Sequence, residues 1–173
     1  MQIIDRKVQI VAAVALIDVD GRILISKRPK NKYLGGLWEF PGGKLEKMEK
    51  AEDALIRELD EELNIQTWKS CLAPLTFSTH DYTDFNLLLL LFVCRKWDGI
   101  IMGREGQEIK WVFPKELNKF PMPDVSCFVL RSRTNSLSYT QGNPARILSG
   151  ETFGFKRIIE CLSSPDINYF YTN

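Results

Sequence analysis

The stretch from Val8 to Ile17 is short, apolar and rich in valine and isoleucine, broken only by Gln9, and reads as a buried strand. Asp20-Gly21 follows as a hairpin turn signal. Arg22–Arg28 then resumes as a second strand, with Ile23 and Ile25 on one face. Pro29 to Leu37 (PKNKYLGGL) has the composition of a loop. Trp38-Glu39-Phe40 reads as a short strand that runs into Pro41-Gly42-Gly43. From Glu49 to Leu63 the period changes. Leu55, Leu59 and Leu63 recur every four residues without Gly or Pro between them, which predicts an amphipathic helix. Asn64 is its expected C-cap, because asparagine tolerates the left-handed conformation. Strand-like runs return at Leu72–Phe77, Phe85–Arg95 and Glu108–Phe113, with an Asp98-Gly99 turn before the last and a short helix at Pro114–Lys119. Strands before and after a central helix predict an α/β layered domain with a mixed sheet.

Composition narrows the class. The 173 residues are 45% hydrophobic and 26% charged, as in soluble globular proteins, and suit one domain with a modest extra segment. Disorder throughout, collagen and a disulfide-stapled miniprotein are excluded. No signal peptide pattern opens the chain, and the apolar run Leu87–Cys94 falls far short of a membrane span. Cys71, Cys94, Cys127 and Cys161 are widely spaced, which argues against zinc and fits a reducing compartment. A cytoplasmic protein without membrane contact is expected. Near Asp124 the composition shifts: only eight of the charged residues, but seven of the ten serines, lie in the last 49 positions. The expected organisation is a domain over 1–124 and a divergent or poorly ordered C-terminal extension over 125–173, with a short amphipathic helix at Phe153–Leu162.

The formal net charge of +1 argues against a polybasic nucleic-acid binder, yet it conceals a cluster. Lys44 to Glu62 carries eight acids and four bases, so this stretch is −4 and the remainder +5. At about 100° per residue, with Glu58 at zero, Glu61 falls at about 300°, Glu62 at about 40°, and the three leucines at about 60° to 140°. The helix can bury its leucines while an adjacent stripe offers three carboxylates to one point. Like charges so placed repel unless a cation neutralises them, and oxygen-only ligands suit Mg²⁺ or Mn²⁺. A solvated acidic face would look the same on the helix alone.

The flanks carry the distinction. Residues 43 to 65 read GKLEKMEKAEDALIRELDEELNI. Gly43, five residues, Glu49, seven residues, Arg57-Glu58-Leu59, one residue, Glu61-Glu62, one residue, Asn64 and Ile65 together resemble the Nudix box, which has glycine where Asn64 stands. Ordinary residue frequencies make a chance match on the order of one in a million. Leu37 to Lys44 (LWEFPGGK), Arg95 to Gly99 (RKWDG), Gly103 to Gln107 (GREGQ) and Phe120 to Pro123 (FPMP) are similar to MutT-type members of that family. The likeness runs from about Val8 to Asp124.

The resemblance implies a Nudix-like α/β/α sandwich with a mixed sheet. It implies a Mg²⁺-dependent hydrolase (Mn²⁺ serving as well) that converts a nucleoside triphosphate to the monophosphate and pyrophosphate, with 8-oxo-dGTP as the leading substrate. Nucleotide-pool sanitation and mutation avoidance would follow. The alternatives are another nucleotide, such as CTP or a methylated pyrimidine triphosphate, or a non-catalytic MutT-like binding module. By the same resemblance Gly42, Glu58, Glu61, Glu62 and Glu105 would hold metal. Glu58 would deprotonate the attacking water, with Glu61 and Glu105 as rivals. Gly43, Glu49 and Arg57 would be structural, Arg57 orienting Glu49 or a box carboxylate through a bidentate pair. The lack of a side chain at Gly42 would suit close approach of the ion. Arg28, Glu39, Asp84 and Asp124 would meet the substrate. Arg28 could equally be an exposed strand-end arginine, Glu39 an inter-strand ion pair and Asp84 a turn residue. Ser126 could replace Asp124 in reading the base. The partner would be a small nucleotide, without nucleic acid, and the chain a monomer or weak homodimer.

Overall fold

The computed structural model describes residues 6–123. The expected extension over 125–173, its Phe153–Leu162 helix, and Asp124, Ser126, Cys127 and Cys161 lie outside the described residues.

Strand β1 (Lys7–Leu16) is central to the fold. It needs cover on both sides, because from Ala12 onward every residue is apolar and buried. Its even positions, Ala12, Val14 and Leu16, face one apolar cluster, and its odd positions, Ala13 and Ala15, face another. The first half departs from the expected buried strand: Val8 and Ile10 are exposed.

The turn after β1 also differs from expectation. The Asp18 carboxylate accepts hydrogen bonds from the Asp20 and Arg22 amides and from Arg22 Nε, and Gly21 adopts a φ of 76°. This tight turn does not build a hairpin ladder. Only Ile17 and Ile23 pair across it, and β2 (Ile23–Lys27) leaves for a second sheet.

There β2 lies between β3 (Trp38–Glu39) and β7 (Glu108–Val112), antiparallel to both. In the first sheet, β4 (Gly42–Lys44) and β5 (Ala73–Asp81) flank β1 and β6 (Phe85–Cys94) in the order β4-β1-β6-β5. The β1–β6 pairing is parallel and the other two are antiparallel, so the sheet is mixed, as expected.

Helix α1 (Ala51–Leu63) begins two residues later than the pattern suggests. It packs Leu55, Leu59 and Leu63 against Ala12, Val14, Leu16 and Leu24 and buries Ala54 as well. Asn64 ends it in the left-handed region at φ 60°. It is the one α-helix among the described residues; Pro114–Lys119 forms a tighter 3₁₀ turn. Among those residues no helix is long and apolar enough to cross a membrane. Cys94 is buried and Cys71 half-buried, both as free thiols.

Candidate active site

Two adjacent glycines set the site, each for its own reason. Gly42 has a φ of 143°, and a Cβ there would lie 2.2 Å from the Ala12 carbonyl oxygen and 2.7 Å from Ala13 Cα. Its need for hydrogen comes from the close antiparallel pairing of β4 with β1, where Gly42 lies opposite Ala13. At Gly43 a Cβ would meet Glu58 itself, 2.1 Å from Oε1 and 2.2 Å from Cδ. That glycine leaves room for the Glu58 carboxylate against the strand.

Arg57 holds the other side. Its Nε and one terminal nitrogen each donate to an oxygen of Glu49 at 3.0 Å. The other terminal nitrogen donates to Glu58 at 2.9 Å and reaches Glu61 at 3.3 Å. The guanidinium also donates to the Lys44 carbonyl. The bidentate pair with Glu49 is a strong, planar contact. It holds the Glu49 carboxyl below its ordinary range, helped by the Glu46 amide. One side chain thus ties the approach to the helix and two carboxylates of its face together.

These groups border a cleft of about 620 Å³, a volume suited to a small-molecule ligand. Its walls include Gly42, Gly43, Glu58 and Glu62 from the β4–α1 unit, Arg28 just after β2, Glu39 from β3, Asp84, and Glu105 from the loop before β7. Glu61 is not among them. It is exposed, with its carboxylate drawn to Arg57. Among the cleft carboxylates Glu62 stands out: burial first, then repulsion from Glu58, Glu39 and Glu105, push its carboxyl up to about 7 against an opposing bond from the Gly42 amide. Such mutual repulsion at an oxygen-only site is what a divalent cation would relieve. The expected convergence of three carboxylates on one point is not present as the side chains stand. Among the described residues no group of three or more acids, histidines or cysteines could hold an ion. Glu58 and Glu61 are turned to Arg57, and Glu105 is paired with Lys32.

Arg28 is not a free strand-end arginine. One terminal nitrogen meets both oxygens of Glu39 at 2.8 Å, while Nε donates to the Tyr33 carbonyl at 2.9 Å. Glu39 is therefore in an inter-strand ion pair, yet both residues face the cleft. Burial raises the Glu39 carboxyl despite Arg28 and Lys32 beside it.

Several cleft residues escaped the sequence reading. Tyr33, Tyr82 and Phe85 form an aromatic group: Tyr82 stacks on Phe85 with centroids 4.9 Å apart, and Tyr33 meets it edge-on at 6.3 Å. Lys32 reaches across to Glu105. A tyrosine within PKNKYLGGL and a Tyr82–Phe85 spacing were the signals available. Both belong to segments remote in sequence, which meet only through the sheet.

The NUDIX domain family matches the chain over residues 12–130. An 8-oxo-dGTP diphosphatase from Proteus vulgaris is 37% identical over 102 residues, 59% of this chain and 89% of that protein. A CTP pyrophosphohydrolase from Escherichia coli is 33% identical over 119 residues, 68% of this chain and 84% of that protein. A solved structure from work on MutT of Aliivibrio salmonicida and Vibrio cholerae is 34% identical. It covers 68% of this chain and 90% of its own, with a TM-score of 0.58.

Proposed function

This chain belongs to the Nudix family, and from that premise we propose that it is a Mg²⁺-dependent pyrophosphohydrolase that converts 8-oxo-dGTP to the monophosphate and pyrophosphate. Its membership makes it a divalent-metal hydrolase of phosphoric anhydride bonds in small nucleotides. One observation carries the finer reading: a single cleft is lined by both a repelling carboxylate cluster and an aromatic group, with Arg28 paired to Glu39 and bonded to the backbone carbonyl of Tyr33. Carboxylates alone would suit any polyphosphate. The aromatic rings add faces on which a purine can stack.

A divalent ion bound here supplies charge neutralisation on the phosphate oxygens and a more acidic water. Glu58, Glu61, Glu62, Glu105 and the Gly42 carbonyl are proposed to hold it. Glu61 would turn inward from Arg57, and Glu105 would leave Lys32. Glu58 is proposed to take the proton from the attacking water, its carboxylate oriented by Arg57 and by the space over Gly43. Arg28, Glu39 and Asp84 face the substrate, and Lys32, once freed, offers a positive charge to the phosphates. An enzyme guarding the nucleotide pool belongs in the cytoplasm.

A second reading has a specific finding behind it. The similarity to a CTP pyrophosphohydrolase is close to that shared with the 8-oxo-dGTP enzymes, so CTP is the main competing substrate.

Glu58→Gln and Glu62→Gln should both fold, and each should lower turnover of 8-oxo-dGTP by at least about a hundredfold. EDTA should abolish activity, and added Mg²⁺ should restore it. Turnover near the parent level in both variants would remove this assignment of the site.

A further inference from the structure

We propose that Asn64 and Arg104 form a clamp that fixes the loop 102–107 on the C-terminal end of α1 and so positions Glu105 at the cleft. The inference rests on the reading of Glu105 as a metal-holding residue.

The last carbonyls of a helix need partners from outside it, and its C-terminal end favours positive charge. Helix α1 has no basic residue in its last turn. The loop supplies what is missing. The Met102 amide donates to the Leu63 carbonyl at 3.0 Å, and the Arg104 amide to that of Glu62 at 2.9 Å. Gln107 Nε2 donates to the same Glu62 carbonyl at 3.0 Å. The Arg104 guanidinium donates to the Asp60 carbonyl at 3.1 Å and to the side-chain oxygen of Asn64. It also lies 3.8 Å from the Asp60 carboxylate.

Asn64 gives the clamp its second half. Its backbone is left-handed, a conformation glycine would adopt without strain, and glycine is what the Nudix pattern has there. Glycine has no oxygen to receive Arg104. The departure from the pattern therefore adds a contact. Glu105 is held from both sides in sequence, since Arg104 and Gln107 both bond to the Glu62 carbonyl. The Glu105 amide donates to Gln107 Oε1 at 2.8 Å. The backbone of one proposed metal ligand thus anchors the loop that carries another. Asn64 and Arg104 touch no substrate in this scheme and act as positioning residues.

The test uses the full chain and two readouts besides turnover: amide hydrogen exchange over 102–107, and Mn²⁺ affinity by calorimetry. Asn64→Gly keeps the helix end unstrained, so folding is preserved. Asn64→Gly and Arg104→Ala should both speed exchange at the Met102 and Arg104 amides. Each should weaken Mn²⁺ binding by about tenfold, the loss typical of removing a group that orients a metal ligand. Arg104→Lys should recover part of the affinity. In a Glu105→Gln background, itself weakened, Arg104→Ala should add no further loss. Unchanged exchange in both variants overturns the clamp. Faster exchange with parental Mn²⁺ affinity in Arg104→Ala, where Glu105→Gln is weak, overturns the positioning role and leaves the site reading standing. Parental affinity in Glu105→Gln overturns the site reading at that residue, and the positioning role with it.

Discussion

At the scale of single residues, Gly42 and Gly43 separate stability from chemistry. A methyl at Gly42 collides with backbone atoms of β1 and sits at a φ that side chains rarely adopt. Gly42→Ala should cost about 1–3 kcal/mol in chemical denaturation, the range for such strain. A methyl at Gly43 displaces only the far end of the Glu58 side chain. Gly43→Ala should keep the parent melting temperature while losing about a hundredfold or more in turnover. The reverse pattern would mean that the roles of the two glycines have been exchanged. Glu62 makes a second prediction. Its carboxyl is raised to about 7 from an ordinary 4.5, so the folded chain holds that proton more tightly than the unfolded chain. The associated stability is fully present below about 4.5 and is lost as pH rises through about 7. An ion must displace the proton below that value and need not above it. Mg²⁺ should therefore raise the melting temperature more at pH 8 than at pH 6, a difference that Glu62→Gln removes. Equal shifts at both pH values in the parent protein would contradict this.

At the scale of elements, the helix was the most legible part of the chain. The leucine period located α1, and the angular arithmetic explains the fate of each glutamate. Glu62 is nearest the leucine stripe and is half-buried toward the cleft; Glu61 is farthest round and exposed. The start of the helix was less legible, because Lys50 occupies the N-cap without a capping side-chain bond. Lys50→Asp should raise stability by about 1 kcal/mol by supplying the missing acceptor. An unchanged denaturation midpoint would show that the first turn has other support. Leu59 is fully buried beneath the carboxylate face. Leu59→Ala should cost about 2–5 kcal/mol and disturb metal affinity as well, because the same turn carries Glu58 and Glu62. What sequence could not supply was the loop 102–107. Its anchoring depends on helix carbonyls, which carry no residue signature, and on Asn64, which reads in isolation as a C-cap alone.

At the scale of the whole molecule, the +1 charge is a cancellation between one acidic segment and a mildly basic remainder. The fold brings part of that remainder, Arg28 and Lys32, to the acidic cleft. The mixed sheet was predictable because strand-like runs lie on both sides of the helical segment, the pattern of an α/β layered domain. The division into two sheets was not, because the Asp20-Gly21 signal fits a hairpin equally well and the outcome depends on where β2 finds its partners. The aromatic group of the cleft depends on the same pairing, since Tyr33 comes from the loop after β2 in one sheet and Tyr82 from the turn between β5 and β6 in the other. The central claim joins that aromatic group to the carboxylates in one reaction. The most direct measurement is pyrophosphate release with Mg²⁺ from 8-oxo-dGTP, dGTP, CTP and ADP-ribose in competition. The account predicts clear preference for 8-oxo-dGTP; equal rates for all four, or preference for CTP, would contradict it.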